Sequence, residues 1–217
     1  VTLTGGSADD VITVGDNLSS GLKAEYYTGT GAGNFSSGTL RTERIDSTID
    51  FNGTWDGALH SSGHNANEQF AVRWTGYIKG PSDGQVNFYG SHDDGARLKI
   101  DGNWVFSNWS DQGARSYNSQ GSMTMEAGKL YPFTLEMYEN GGGDSMRLLW
   151  SYSGQSTTIV PATAFVNQEG VTSEGLTIDG MGGHDAISAS RNSDIITGGA
   201  GDDTLDGGAG DDTITGG

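Results

Sequence analysis

Apolar and polar residues alternate through the middle of the chain. Phe70, Val72, Trp74 and, past Gly76, Ile78 mark one face of residues 69–79, and Tyr131, Phe133, Leu135 and Met137 do the same over 131–138. A period of two is the signature of a half-buried β-strand. Shorter runs over 21–27, 45–51, 85–89, 97–100, 103–106, 122–126 and 146–152 read as further strands. Gly80-Pro81-Ser82-Asp83-Gly84 reads as a turn and Asp101-Gly102 as a hairpin. Polar loops fill the stretch to about 40, then 52–67, 107–120 and the glycine-rich 139–144. No helix longer than a turn is expected. Many short strands at this spacing predict an all-β fold, an antiparallel β-sandwich.

A different period governs the ends. Gly198-Gly199-Ala200-Gly201-Asp202-Asp203-Thr204-Leu205-Asp206 is followed in register by Gly207-Gly208-Ala209-Gly210-Asp211-Asp212-Thr213-Ile214-Thr215. Both match G-G-x-G-x-D-x-U-x, the calcium-binding repeat of parallel β-rolls. Glycines such as Gly198 and Gly207 let the turn aim carbonyls at an ion, the sixth-position Asp supplies charge, and the eighth-position aliphatic fills the core. Degenerate units place Asp194 with Ile196 and Asp185 with Ile187, and 171–179 keeps Ile178. Residues 5–13 repeat the pattern, with Asp10 and Ile12 at those positions. A lone repeat cannot bury its aliphatic. Residues 1–17 are therefore expected to be the first turns of the roll that resumes at 169–217, with 18–168 inserted between them. Ions lying between stacked turns predict the pairs Asp10 with Asp185, Asp185 with Asp203, and Asp194 with Asp212. The chain stops within a repeat, as a fragment of a longer protein would.

Composition sharpens this picture. The formal charge is −17, from 28 acids against 11 bases. Nucleic acid, which needs a basic surface, is not an expected partner. Five Trp, eight Tyr and seven Phe argue against disorder. The acids recur at fixed spacing, which favours cation binding. There is no cysteine. No run of apolar residues is long enough for a membrane-spanning helix, so no membrane insertion is expected.

The chemistry centres on Asp93-Asp94, between the strand runs 85–89 and 97–100. Neighbouring side chains on an extended chain point to opposite faces. Two adjacent acids can grip one ion only if the backbone bends, and a cis peptide between them would bring both carboxylates to one side.

At this point the sequence resembles a known family. Residues 21–27 (GLKAEYY), 70–78 (FAVRWTGYI), 93–102 (DDGARLKIDG) and Leu148-Leu149-Trp150 are similar, in order, to the protective-antigen-type (PA-fourteen) domain of yeast flocculins, bacterial glycosidases and RTX (repeats-in-toxin) adhesins. The resemblance covers roughly 18–168. It implies a jelly-roll-like sandwich and, in lectin members, a cis Asp-Asp pair on calcium. Asp93 and Asp94 match that pair, Asn140 matches an amide ligand, and backbone carbonyls near Gly142 and Asp144 match the rest. Calcium takes about six to eight oxygens, so positions remain for vicinal sugar hydroxyls. Trp109, Gln112, Asp144 and His92 are candidates to touch the sugar beside Asp93, Asp94 and Asn140. Monosaccharide affinity is expected to be roughly millimolar, with avidity from many copies. The nonapeptides resemble those of the RTX family, which implies type I secretion, an extracellular or surface location, and folding on meeting calcium.

The expected function is thus a calcium-dependent carbohydrate-binding module of an adhesin, acting at cell surfaces or in biofilms. Its partners would be cell-surface glycans or monosaccharides of hexose or fucose type, and it would be monomeric within a longer chain. The alternatives are an ancillary domain of a secreted glycan-active enzyme and a calcium-rigidified spacer. An enzyme is not expected. Ser91-His92-Asp93 cannot converge as a triad on a strand, there is no Gly-x-Ser-x-Gly elbow, and acids locked on an ion cannot donate protons. Trp74, Trp104 and Trp150 are expected in the core; His60, His64 and His184 are expected to be solvated.

Overall fold

The computed structural model describes residues 2–13, 18–30, 33–52, 69–168, 175–190 and 192–217. It divides into two compact units, Val1–Leu18 with Gln168–Gly217, and Ser19–Asn167. Nearly all of the regular structure is β, and among the described residues no helix is long and apolar enough to cross a membrane. The expected loop at 52–67, with His60 and His64, lies outside the described residues except for Asn52.

In the larger unit the alternating runs become two antiparallel sheets. One is built on β7 (Phe70–Lys79), which pairs with β12 (Leu130–Glu139) and β4 (Leu22–Thr28); β12 also pairs with β9 (Gly95–Ile100). β5 (Thr39–Asp46) and β10 (Asn103–Asn108) extend it. The other sheet runs β11 (Ser119–Met125), β8 (Gly84–Asp93), β13 (Ser145–Tyr152) and β14 (Gln155–Ile159), with β6 (Asp50–Asn52) against β13. The inward faces carry the periodic apolar residues: Val72, Trp74, Ile78, Phe88, Leu98, Leu135 and Leu148 are buried in one core. Each such side chain contributes about 1.5–3 kcal/mol. Asp46 lies buried at the core's edge, its Oδ2 accepting from Tyr26 Oη at 2.5 Å and Trp74 Nε1 at 2.8 Å.

The unit's two ends meet. β3 (Leu18–Ser20) and β15 (Phe165–Gln168) are neighbours in the sheet. Ser19 Oγ donates to Asn167 Oδ1 at 2.9 Å, and Asn167 Nδ2 donates to the carbonyls of Ser20 and Gly21 at 3.3 Å each.

Some elements differ from expectation. β8 runs on to Asp93 instead of ending at Tyr89, and β5 starts before residue 45. β14 and β15 were not legible, since QSTTI carries no apolar alternation. Trp104 is 52% exposed, not core. The β10–β9 register shifts between Trp104 and Phe106, so Phe106 takes the inward place and Trp104 lies opposite Lys99 on the outer face.

The smaller unit is a parallel coil of three-residue strands. One sheet runs β1 (Thr2–Thr4), β16 (Thr177–Asp179), β18 (Ile195–Thr197), β20 (Thr213–Thr215). The other runs β2 (Val11–Thr13), β17 (Ala186–Ser188), β19 (Thr204–Asp206). Ile178, Ile187 and Ile196 fill its core, flanked by Leu3, Ile12 and Leu205.

Candidate functional site

Asp93 and Asp94 stand where the chain passes from one sheet to the other. Asp93 ends β8 opposite Ser145 of β13, and Gly95 begins β9 opposite Tyr138 of β12. The Asp93–Asp94 peptide bond is cis. Glycine is required next, because a side chain at Gly95 would stand 2.2 Å from the Tyr138 ring. β12 ends at the same place, so the 139–144 loop lies beside the pair, with Gly141 and Gly142 at positive φ.

The flanks of both carboxylates are held by backbone N–H groups. Asp94 Oδ1 accepts from Gln112 N at 2.8 Å and Oδ2 from Asn140 N at 2.8 Å, while Asp93 Oδ2 accepts from Ala114 N at 3.3 Å. Glu139 was not singled out from the sequence, yet it completes the cluster. One ligand oxygen from each of Asp93, Asp94 and Glu139 lies within 4.8 Å of the others. Glu139 is 1% exposed; its Oε1 accepts from Gly141 N at 2.6 Å, and its buried Oε2 has no partner among the described residues. The available signal was parity: Glu139 continues the inward series of Tyr131 to Met137. Burial, then the charges of Asp94, Asp93 and Asp144, push its carboxyl up to about 7. Burial likewise raises Asp93, and the charge of Asp94 adds to it. A buried, unpartnered oxygen among like charges fits a hard divalent cation, which prefers oxygen donors.

The other expected residues fall around this cluster. Asn140 joins it by its backbone N–H, while its side chain bridges loops, Oδ1 accepting from Gln69 Nε2 at 2.7 Å and Nδ2 donating to Asp111 Oδ2 at 2.9 Å. Gly142 is exposed in the loop, and Asp144, half-buried, is close enough to act on Glu139 electrostatically. Gln112 contacts Asp94 through its backbone N–H and, at 3.4 Å, its side-chain amide. Trp109 is half-buried, stacked on Phe35, edge-on to Tyr138, with the Arg97 guanidinium 4.2 Å from its ring centre. His92, expected in a loop with access to a ligand, is instead in β8 and has no exposed surface. Its Nδ1 meets the Asp94 carbonyl at 2.6 Å and its Nε2 meets Ser119 Oγ at 2.9 Å, and burial lowers its pKa. It braces the Asp94 backbone and does not reach the surface.

In the smaller unit the stacked acids make a ladder. Asp10 N, Asp185 N and Asp194 N donate to Oδ1 of Asp185, Asp203 and Asp212 respectively, each at 2.9 Å. The second oxygens of Asp185 and Asp203 are buried without a partner among the described residues. A side chain at Gly180 would stand 2.4 Å from both Asp185 Oδ2 and the Gly198 carbonyl; one at Gly198 would stand 2.4 Å from Asp203 Oδ2 and 2.6 Å from the Gly216 carbonyl. At Gly207 the neighbour is Asp212 Oδ2, at 2.4 Å. These oxygen-lined cradles also suit calcium. His184, exposed as expected, accepts from Asp202 N at its Nδ1.

Residues 18–164 match the family profile of the PA14 domain. The chain belongs to the PA14 domain family. Residues 189–217 of this PA14 protein match the RTX calcium-binding nonapeptide repeat. Anti-sigma-I factor RsgI3 of Acetivibrio thermocellus is 32% identical over 161 residues, which are 73% of this chain and 23% of that protein. An anti-sigma factor domain-containing protein from Clostridium clariflavum is similar in structure, with TM-score 0.60 and 28% identity over 72% of this chain and 50% of that one. The PA14 sugar-binding domain from an RTX adhesin shares the fold, with TM-score 0.53 and 18% identity over 68% of this chain and 98% of that one. The PA14 chain thus spans half or less of the anti-sigma relatives' length.

Proposed function

We propose that this chain is a calcium-dependent carbohydrate-binding module of a secreted or surface adhesin, with its sugar site at Asp93 and Asp94. The observation that carries the reading is the convergence of these sequence neighbours on one side of the chain, at the end of the sandwich where loops 108–114 and 139–144 meet. Asp93 and Asp94 supply carboxylate oxygens, with loop 139–144 supplying further oxygens from Gly142 and Asp144, while Asn140 ties that loop to Gln69 and Asp111. A calcium ion there would offer open coordination positions to the vicinal hydroxyls of a sugar. Gln112 and Ala114 keep the carboxylates aimed, and His92 holds the Asp94 carbonyl.

The PA14 match and a structural relative described as sugar-binding support carbohydrate as the ligand class. The nonapeptide match supports calcium in the smaller unit and export from the cell, and the pairing of β1 with β16 and of β2 with β17 supports a sandwich inserted in a β-roll. The relatives described as anti-sigma factors favour a second reading, in which the sugar is sensed by a longer regulatory chain. Both readings expect this chain to bind sugar; loss of attachment to glycan surfaces in cells lacking the full-length protein is expected for the first, and loss of a transcriptional response to the sugar for the second.

A glycan array probed with the whole chain tests the site. Binding is expected in calcium, lost with a chelator and lost in Asp93→Asn. Sugar binding that persists in Asp93→Asn would refute the assignment.

A further inference from the structure

Glu139 is the one member of the acidic cluster whose place there has no structural explanation. A carboxylate on an inward position at a strand end is costly unless its oxygens are satisfied. Oε1 is satisfied by Gly141 N, but Oε2 meets no partner among the described residues, although Glu139 is 1% exposed. Its ligand oxygen lies within 4.8 Å of those of Asp93 and Asp94. The backbone N–H groups that steady Asp93 and Asp94 come from Gln112, Ala114 and Asn140, and none serves Glu139 Oε2.

We propose that Glu139 is a third carboxylate ligand of the cation at Asp93 and Asp94, and that it restricts the site to neutral polyhydroxy sugars. This rests on the functional reading above. Three carboxylates against one doubly charged ion leave the occupied site net negative. Asp111 adds to this through its bonds to Tyr138 Oη and Asn140 Nδ2, and Asp144 through its charge. The sheet's arginines do not offset it at Glu139: Arg73 and Arg97 are paired with Glu136 at 2.7 and 2.6 Å. A sugar hydroxyl binds such an ion as a neutral ligand. A uronate, sialate or phosphorylated sugar would bring a like charge into a partly desolvated site, where repulsion is weakly screened.

Terbium is a suitable probe, because residues 1–18 and 168–217 contain no Trp, Tyr or Phe. The repeats thus carry no sensitiser of their own, and luminescence sensitised by aromatic excitation of the whole chain reads ions close to the sandwich's aromatic residues. Asp93→Asn is expected to abolish the signal, and Glu139→Gln to raise the half-saturating terbium concentration about tenfold or more. Glu139→Asp keeps the charge but withdraws the oxygen; it is expected to weaken binding as well, and serves if the glutamine variant fails to fold. On an array, carboxylated or phosphorylated glycans are expected to bind at least tenfold more weakly than their neutral parents. Unchanged titrations in the Glu139 variants, with Asp93→Asn silent, would overturn Glu139 as a ligand while leaving the sugar site standing. Acidic glycans binding as well as neutral ones would overturn the selectivity. A terbium signal unaffected by Asp93→Asn would overturn the site itself.

Discussion

The backbone N–H of Asp10 donates to Asp185 Oδ1 at 2.9 Å across 175 residues of sequence. The same rung joins Asp185 to Asp203, only 18 residues away. The roll thus treats a distant segment as its adjacent turn. Asp185→Ala removes the acceptor for one rung and the carboxylate from one cradle. Losing a buried acceptor costs about 1–3 kcal/mol. Hydrogen exchange at residues 2–13 is expected to accelerate in this variant and, in the parent chain, on adding a chelator. Protection that survives both would show that this segment is held without the acid ladder.

A backbone clash offers a cleaner perturbation of the repeats. Gly201 has φ +140°, and a side chain there would stand 1.7 Å from the Gly183 carbonyl, one turn of the coil away. Gly201→Ala is expected to destabilise the repeats selectively. Far-UV circular dichroism and exchange at 175–217 should report the loss, while tryptophan fluorescence from the sandwich stays as in the parent.

The sandwich has its own weak point in Asp46. Its Oδ2 accepts from two buried donors, Tyr26 Oη and Trp74 Nε1, and its Oδ1 from Arg44 Nε at 2.6 Å. Asp46→Ala takes this shared acceptor from all three, with an expected loss of about 3 kcal/mol or more in urea unfolding. Asp46→Asn, which keeps an acceptor, is expected to cost less.

His92 is expected to matter for affinity although it touches no ligand. Its ring fixes the Asp94 carbonyl, and outer-shell partners of metal ligands are worth about 10–100-fold in affinity. His92→Ala should raise the terbium half-saturation by about that factor with Asp93, Asp94 and Glu139 intact. An unchanged titration would assign His92 to packing alone.

Trp104 gives the contrasting case. It is half-exposed on the outer face, with Lys99 Nζ 4.6 Å from its ring centre. Trp104→Ala is expected to change stability by about 0.5–1 kcal/mol and to leave glycan binding unaltered.

These positions also show what a single sequence could reveal. The strands on Val72, Trp74, Leu135 and Met137 were legible because apolar residues recur at every second position, although Glu136 and Tyr138 on the other face are buried as well. The stacking of Asp10 on Asp185 was legible because residues 5–13 carry the glycine, Asp and aliphatic positions of the later repeats. The extension of β8 was hidden: Gly90-Ser91-His92 has the composition of a loop, and only the β13 register makes it strand. Trp104 was misplaced because a one-residue irregularity inverts the faces of a strand and leaves no compositional mark. Glu139 was missed because inward parity was read for apolar residues alone. Asn140 was legible as part of the site, but its amide contacts to Gln69 and Asp111 bring together residues 71 and 29 positions away, which no local pattern encodes.

The bonds between Asn167 and Ser19, Ser20 and Gly21 bear on how the two segments of the coil find each other. Strands β1 and β2 precede the sandwich in sequence, but their partners begin only at Thr177. Bringing such remote segments together from a random coil would cost about 4–5 kcal/mol in chain entropy. Once the sandwich has formed, its own termini are already side by side. It then acts as a jig that presents the segments before and after it to each other, so closure of the coil across the insertion waits on the sandwich.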